Sequence, residues 1–269
     1  NFLNFEHDWP GAKIVFLEEN YRSTRNIIAA ASELIKNNQF QRPKNLWTEN
    51  ASGELIKIAA TEDPEEEAGF IAETIRKNSS TAVLYRTNAQ SRAIEQALIQ
   101  SQVPYKIFGG VKFYERKEVK DVVAGLRIAS NPRDGISAER LSKTFTKAVA
   151  ANLIAELPRL AGKLSLLELL SFFIINSHYF EYLENKFVNS KERVENINEL
   201  IAFASGFKTL EEFLERVSLL QSTDIPARNT NLSPASHLSL LTSVNLMTIH
   251  LAKGLEFEAV FVAGCNEGL

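Results

Sequence analysis

The sequence predicts an α/β protein: a parallel sheet covered by helices, with an all-helical subdomain inserted into it. Three observations carry that expectation. Short apolar runs alternate with helical apolar spacing over the first third of the chain. From about Glu115 to Leu220 strand-type runs vanish, and apolar residues recur only at helical spacing. Two strand-type runs then return near the C-terminus. The simplest architecture is one α/β domain built from residues 1–114 and 239–269, interrupted by a helical subdomain over 115–238.

The elements follow in order. Ile14-Val15-Phe16-Leu17 is an apolar run of buried-strand type. Ile27, Ile28, Ala31, Leu34 and Ile35 then share one helical face, with Ser23 or Thr24 as cap. Ile56 to Thr61 is the next expected strand. Asp63-Pro64-Glu65-Glu66-Glu67 places an N-cap, an N1 proline and first-turn acids in register for a helix that buries Ala68, Ile71 and Ile75. Thr81 to Tyr85 is a buried strand. Asn88 is the expected cap of a helix carrying Ile94 and Leu98, and Tyr105 to Phe108 is a strand closed by Gly109-Gly110. In the middle, helices are marked by Val119, Val122, Val123 and Leu126, by Leu166, Leu167, Leu169 and Leu170, by Val194, Ile197, Leu200 and Ile201, and by Leu210, Phe213, Leu214 and Val217. A polar loop spans Thr223 to Leu238. Val244 to Ile249 and Ala259 to Ala263 are strands, separated by a turn over Leu251 to Leu255.

Composition bounds the function. The 269 residues are 45% hydrophobic and 23% charged, enough for a substantial core and unlike a disordered or disulfide-stapled chain. The net charge of −3 argues, taken whole, against a nucleic-acid partner. It hides a pattern. Residues 1–75 carry 7 basic and 13 acidic side chains, residues 76–147 carry 14 and 6, and residues 148–269 carry 9 and 14. A basic block between two acidic ones fits either a polyanion partner or ordinary surface scatter. Cys265 is the only cysteine, which excludes an intrachain disulfide and points to a reducing, cytoplasmic setting. No run approaches the length of a membrane span, and no signal-peptide pattern opens the chain. The chain begins at Asn1, holds Met247 as its one methionine and stops at Asn266-Glu267-Gly268-Leu269, so both ends are expected to be cut from a longer protein.

No G-x-x-x-x-G-K-[ST] phosphate loop, dinucleotide fingerprint or metal-ligand spacing is present. Three polar stretches stand where strands are expected to end. Leu17 to Thr24 holds Tyr21 and Arg22, suited to a base and a phosphate, or to a surface arginine beside a core-edge tyrosine. Val244 to Phe257 clusters Thr248, His250 and Lys253 before a glycine turn, suited to a phosphate backbone or to a core-edge histidine and a solvated lysine. Tyr85 to Arg92 repeats the arrangement with Arg86 and Asn88.

Four stretches, in family order, resemble the C-terminal half of the UvrD/Rep/PcrA-type superfamily 1 DNA helicases. They are Leu17 to Thr24 (LEENYRST), Ala82 to Arg92 (AVLYRTNAQSR), Pro104 to Asp121 (PYKIFGGVKFYERKEVKD) and Leu246 to Phe257 (LMTIHLAKGLEF), continuing to Gly264. The resemblance covers residues 1–133 and 240–269 and is weak between 134 and 238. It implies a second RecA-like motor domain (2A) of P-loop NTPase type, without its own P-loop, and an inserted helical domain (2B). It further implies that Arg22 contacts the γ-phosphate of ATP as the catalytic arginine, that Tyr21 stacks on adenine, that Glu256 holds the ribose, and that Lys253-Gly254 link the nucleotide and DNA sites. By the same resemblance Arg86, Asn88, Gly109, Gly110, Phe113, Thr248, His250 and Lys253 line a single-strand DNA track.

The activity implied is ATP-dependent 3′→5′ helicase movement, in DNA repair or a related process. ATP and Mg2+ would be held mainly by an N-terminal RecA-like half of the same polypeptide, and the present chain alone would be inactive. Partners implied are single-stranded DNA and single/double-strand junctions, with a repair protein bound through 2B. The insert departs from the family. Where members carry an Arg-Gly-Ile-Gly turn, this chain reads Ser142 to Ala150 without a glycine, a departure that leaves residues 115–238 open to partner binding or autoinhibition in place of duplex contact. Two other readings share these motifs: a helicase-nuclease subunit of the AddA or RecB kind, and a non-catalytic nucleic-acid or protein-interaction module.

Overall fold

A computed structural model describes residues 5–75, 80–222 and 243–266. The chain separates into two compact units, Asn1–Ala60 and Thr61–Leu269. In the first, α1 (Phe5–Asp8) and α2 (Arg25–Ile35) are joined by extended and turn segments. One parallel bridge, Glu19 to Trp47, brings distant parts of this unit together. Two hydrogen bonds hold it, from the Asn20 N–H to the Trp47 carbonyl (2.8 Å) and from the Trp47 N–H to the Glu18 carbonyl (3.0 Å).

The strands expected at Ile14–Leu17 and Ile56–Thr61 do not form, and Val15, Leu17 and Ile58 are exposed. An apolar run becomes a strand only where a neighbouring backbone offers free donors and acceptors, and within this unit that pairing is confined to the Glu19–Trp47 bridge among the described residues. Thr24 occupies the N-cap position of α2, as expected, but its side chain makes no capping bond, and of the expected apolar face only Ile28 is buried.

The second unit begins with α3 (Pro64–Thr74). Asp63 caps it by accepting from the Glu66 N–H at 2.7 Å, and Ala68, Ile71 and Ala72 are buried. The strands β1 (Thr81–Tyr85), β2 (Tyr105–Ile107), β3 (Val244–Thr248) and β4 (Ala259–Val262) form a parallel sheet in the order β2-β3-β1-β4. β1 is apolar on both faces, as a central parallel strand must be. The register pairs Tyr85 with Thr248, Leu84 with Val262, and Ile107 with Leu246. All four carboxyl ends therefore open on one edge. Helix α4 (Ser91–Gln100) packs with α3, and Ile71, Ile94, Leu98, Val83 and Leu246 share one core.

Asn88 is not the cap of α4. It opens a short 3₁₀ turn, Asn88–Gln90, whose N-cap position is taken by Thr87. The Gln90 Oε1 accepts from the N–H groups of both Arg86 and Thr87 at 2.9 Å, which satisfies two donors that a helix start leaves open.

A second 3₁₀ turn, Phe113–Glu115, leads into a stack of helices: α5 (Lys117–Ser130), α6 (Gly135–Thr144), α7 (Lys147–Leu160), α8 (Leu166–Asn176), α9 (Tyr179–Lys186), α10 (Ser190–Ala204) and α11 (Leu210–Ser222). α5 lies at its centre, with Val119, Val122, Leu126 and Ile128 fully buried against its neighbours. Ser165 and Glu168 form a reciprocal capping box at α8. The loop expected over Thr223 to Leu238 lies outside the described residues. No helix among the described residues is long and apolar enough to cross a membrane.

Gly125 sits in α5 where a Cβ would fall 2.4 Å from the Phe173 ring. Alanine would gain about 1 kcal/mol of helix propensity, but overpacking a closed core costs about 1–3 kcal/mol. Gly125→Ala is therefore expected to lower the urea midpoint of unfolding with an unchanged m-value. An unchanged or raised midpoint would show that the ring yields freely.

Candidate functional site

In the first unit, the segment leading into α2 is shaped by Asn20. Its Oδ1 accepts from the backbone N–H of Arg22 (3.0 Å) and of Ser23 (2.8 Å), an Asx turn that bends the chain sharply before the helix. Asn50 closes the turn from the other side, donating Nδ2 to the carbonyls of Tyr21 and Ser23. Gly53 lies so close to Thr24 that any Cβ would meet the threonine side chain at 2.6–2.7 Å. The result is a fixed platform with outward-facing side chains. Tyr21 is 79% exposed, and its hydroxyl donates to Glu19 at 2.6 Å. That hydrogen bond to a carboxylate raises the phenol above its ordinary pKa. Arg22 is also exposed. An aromatic face and a guanidinium on adjacent residues suit a base and a phosphate, respectively.

In the second unit, three of the expected segments meet at the carboxyl edge of the sheet. Arg86 follows β1 and His250 follows β3. The Arg86 Nη1 is 3.4 Å from both ring nitrogens of His250, and both side chains are exposed. The Ile249 N–H donates to the Tyr85 carbonyl at 2.9 Å, which extends the β1–β3 ladder to the base of this pair. Thr248 is half-buried, and its carbonyl accepts from Leu251 and Ala252 in the turn that follows. Lys253, Gly254 and Glu256 are exposed along that turn, with Gly254 at φ +90. The third segment is the Gly109-Gly110 turn after β2. Gly109 has φ +74, and a Cβ there would lie 2.3 Å from the Leu251 side chain. Only glycine allows the β2 and β3 turns to come this close.

The fourth strand braces the group from behind. Gly264, just past β4, has φ +69, and a Cβ there would lie 1.8 Å from Gln90 Nε2. Gln90 is the residue that holds the Arg86 and Thr87 N–H groups. Neither Gln90 nor Leu251 stood out in the sequence, because their roles depend on contacts between distant turns.

Two expectations need correction. Phe113 is fully buried in the helical core, with its N–H donating to Glu95, so it presents no surface to nucleic acid. The basic block is also partly consumed inside the protein. Arg92 is buried against Glu65 (2.5 Å), Glu199 (2.6 Å) and the Phe203 ring. Arg116 is buried beside Glu95 (3.9 Å) and bonds Asn88, Ser91 and Asn196. Burial is the larger influence on both partners of the second pair. It pushes the Glu95 carboxyl up and the Arg116 guanidinium down, each opposed by the charge of the other. Of the exposed cations nearby, Arg86 and Lys253 stand in the loops at the carboxyl edge and Lys106 within β2, while Lys112, after the Gly109-Gly110 turn, is half-buried.

The UvrD-like helicase C-terminal domain family matches residues 15–187 and 175–269. The ATP-dependent DNA helicase PcrA of Bacillus subtilis is 37% identical over 325 aligned residues, which takes in the whole of this chain and 43% of the relative. The ATP-dependent DNA helicase UvrD1 of Mycobacterium tuberculosis is 34% identical, again over the whole chain and 43% of the relative. A DNA helicase II of Rickettsia typhi is 33% identical over the whole chain and 47% of its own length. The chain thus spans less than half the length of these curated relatives. With its strand-end loops gathered on one sheet edge and its full length aligned, the chain belongs to the UvrD-like helicase C-terminal domain family.

Proposed function

We propose that this chain is the ATP-gating and DNA-tracking part of an ATP-dependent 3′→5′ DNA helicase of DNA repair or a related process. The observation that carries the reading is the Arg86–His250 contact, with the Gly109 turn packed on Leu251 alongside it. These loops leave β1, β3 and β2, which are neighbours in a parallel sheet, and ligands of such sheets bind at the carboxyl ends of the strands. A sliding strand needs a local row of donors rather than a basic protein, because counterion release depends on the phosphates contacted. Arg86, His250, Lys253, Thr248 and the open backbone at Gly109-Gly110 supply such a row, with Asn88 at its inner end.

In this reading residues 1–114 and 239–269 form the RecA-like domain 2A and residues 115–238 the helical insert 2B. ATP is the fuel. It is held mainly, with Mg2+, by an N-terminal RecA-like half of the same polypeptide. Tyr21 and Arg22 fit a nucleotide, since the Asx turn at Asn20 leaves both side chains outward. Tyr21 stacks on the base and Glu256 takes the ribose. Arg22 places a permanent positive charge against the γ-phosphate, where negative charge is redistributed as the phosphoryl group transfers. Gly254, with its positive φ, forms the turn between Lys253 on the DNA side and Glu256 on the nucleotide side. Partners are single-stranded DNA, its junctions with duplex, and a repair protein bound by the insert. The setting is cytoplasmic.

Three outcomes test this reading. In a full-length protein carrying this chain, Arg22→Ala should reduce steady-state ATP turnover by about 10³-fold or more while a fluorescent nucleotide still binds. Normal turnover would remove Arg22 from the mechanism. The purified 269-residue chain should show no DNA-stimulated ATPase of its own; measurable turnover would contradict the division of labour. Arg86→Ala and His250→Ala should each weaken binding of the chain to an oligothymidylate, and Arg86→Ala should lower the slope of log K against log salt by about one. Unaltered binding in both variants would rule out the proposed track.

A further inference from the structure

The two outer loops of the proposed track are joined beneath the surface by one side chain. In the sheet β3 lies between β2 and β1, so the His250 loop is flanked by the Gly109 turn on one side and by the Asn88 turn on the other. Arg116 lies just before α5 and is 7% exposed. Its Nη1 donates to the Asn88 carbonyl (2.9 Å) and to the Oδ1 of Asn196 on α10 (2.7 Å). Its Nη2 donates to the Ser91 hydroxyl (2.8 Å), and its Nε reaches the Val111 carbonyl at 3.5 Å. Asn88 belongs to the turn after β1, and Val111 ends the turn after β2. One guanidinium thus bonds both flanking loops and a helix of the stack.

Glu95 completes the arrangement from α4. It accepts from the Ser91 hydroxyl (2.6 Å), from the Phe113 N–H (3.1 and 3.2 Å) and from the Tyr105 hydroxyl on β2 (3.3 Å). The acceptors around Arg116 spread over nearly its whole planar fork. A lysine, with three donors on one nitrogen, cannot reach them together. A cleft of about 350 Å³ opens at this network, lined in part by Asn88, Gly109, Gly110, Asn196 and the small exposed part of Arg116 itself.

We propose that Arg116 is a positioning residue for single-stranded DNA. It fixes the separation of the Asn88 and Gly109 turns on either side of the His250 loop and does not itself touch the strand. The inference rests on the reading of those loops as a DNA track, and its test is built to fail separately.

The full chain is titrated with a labelled oligothymidylate over a series of salt concentrations, at a temperature where urea melts show each variant folded. Arg116→Lys keeps the charge and loses the fork. It should weaken binding roughly tenfold, about the equivalent of one lost charge-assisted hydrogen bond, with the salt slope unchanged because no phosphate contact is lost. Glu95→Gln keeps the shape of its neighbour and should weaken binding in the same way by a smaller factor. It serves as the test if Arg116→Lys does not fold. A slope lowered by about one in Arg116→Lys would make the residue a phosphate contact and overturn the positioning role. A variant that melts earlier yet binds as tightly as the parent would show that the network is structural alone, which also overturns it. If Arg86→Ala and His250→Ala bind normally, the track itself is wrong. If they weaken binding and both network variants do not, only the role of Arg116 falls.

Discussion

The parallel pairing of β1 with β3 is the constraint on which the second unit depends. It joins segments far apart in sequence: the buried side chain of Asn245 donates to the Thr81 carbonyl across 164 positions. Closing so long a loop is entropically costly, and the cost grows only slowly with length. Much of the described chain between the two strands is itself packed. The stack from α5 to α11 has its own buried core, separate from the core under the sheet. Once they pair, Tyr85 faces Thr248, and every loop of the sheet edge follows from that register.

Two kinds of bond then link the stack to the sheet. The apolar kind is small: Ile99 of α4 packs against the helical core, in which Phe113 and Tyr114 are buried just before α5. The polar kind is buried and charged, with Arg92 between Glu65 and Glu199, and Arg116 beside Glu95 and Asn196. Buried pairs add little net stability, because desolvation offsets most of their attraction. Breaking one is a different matter, since the partner is left charged and unsatisfied at a cost of about 3–5 kcal/mol. Each pair therefore penalises the loss of one partner more than it adds net stability. This also explains the charge pattern: part of the central basic block is internal bracing, and only the remainder faces out.

Much of the second unit was legible in the sequence. Thr81 to Tyr85 and Val244 to Thr248 are apolar runs of strand length, and Asp63-Pro64 announces a helix in three successive residues. These signals are local, so local reading finds them. Where the structure departs from these local signals, the departures share a physical origin. Ile14 to Leu17 and Ile56 to Thr61 have strand composition, but a strand also needs a partner, and composition does not report one. Asn88 is a good cap residue placed one position too late: Thr87 takes the N-cap position, and Gln90 turns its side chain back to the N–H groups of Arg86 and Thr87. The family resemblance implies a surface role for Phe113 beside the Gly109-Gly110 turn. The 3₁₀ turn at 113–115 swings its ring into the core instead. At the sheet edge, Arg86 and His250 were each identifiable as candidates, while their contact, and the bracing by Gln90 and Leu251, exist only after the strands pair.

The exposed apolar runs of the first unit have a consequence for behaviour in concentrated solution. Short β-prone windows on a surface are templates for self-association. Here each is interrupted or flanked by charge. Lys13 precedes Ile14, and Glu18-Glu19 follow Leu17. Glu54 and Lys57, 4.0 Å apart, bracket Leu55 and Ile56. Charges at the ends of such windows act as gatekeepers, since stacking identical segments would stack their like charges too. The charges flanking these windows, basic and acidic alike, thus disfavour in-register stacking of the chain on copies of itself.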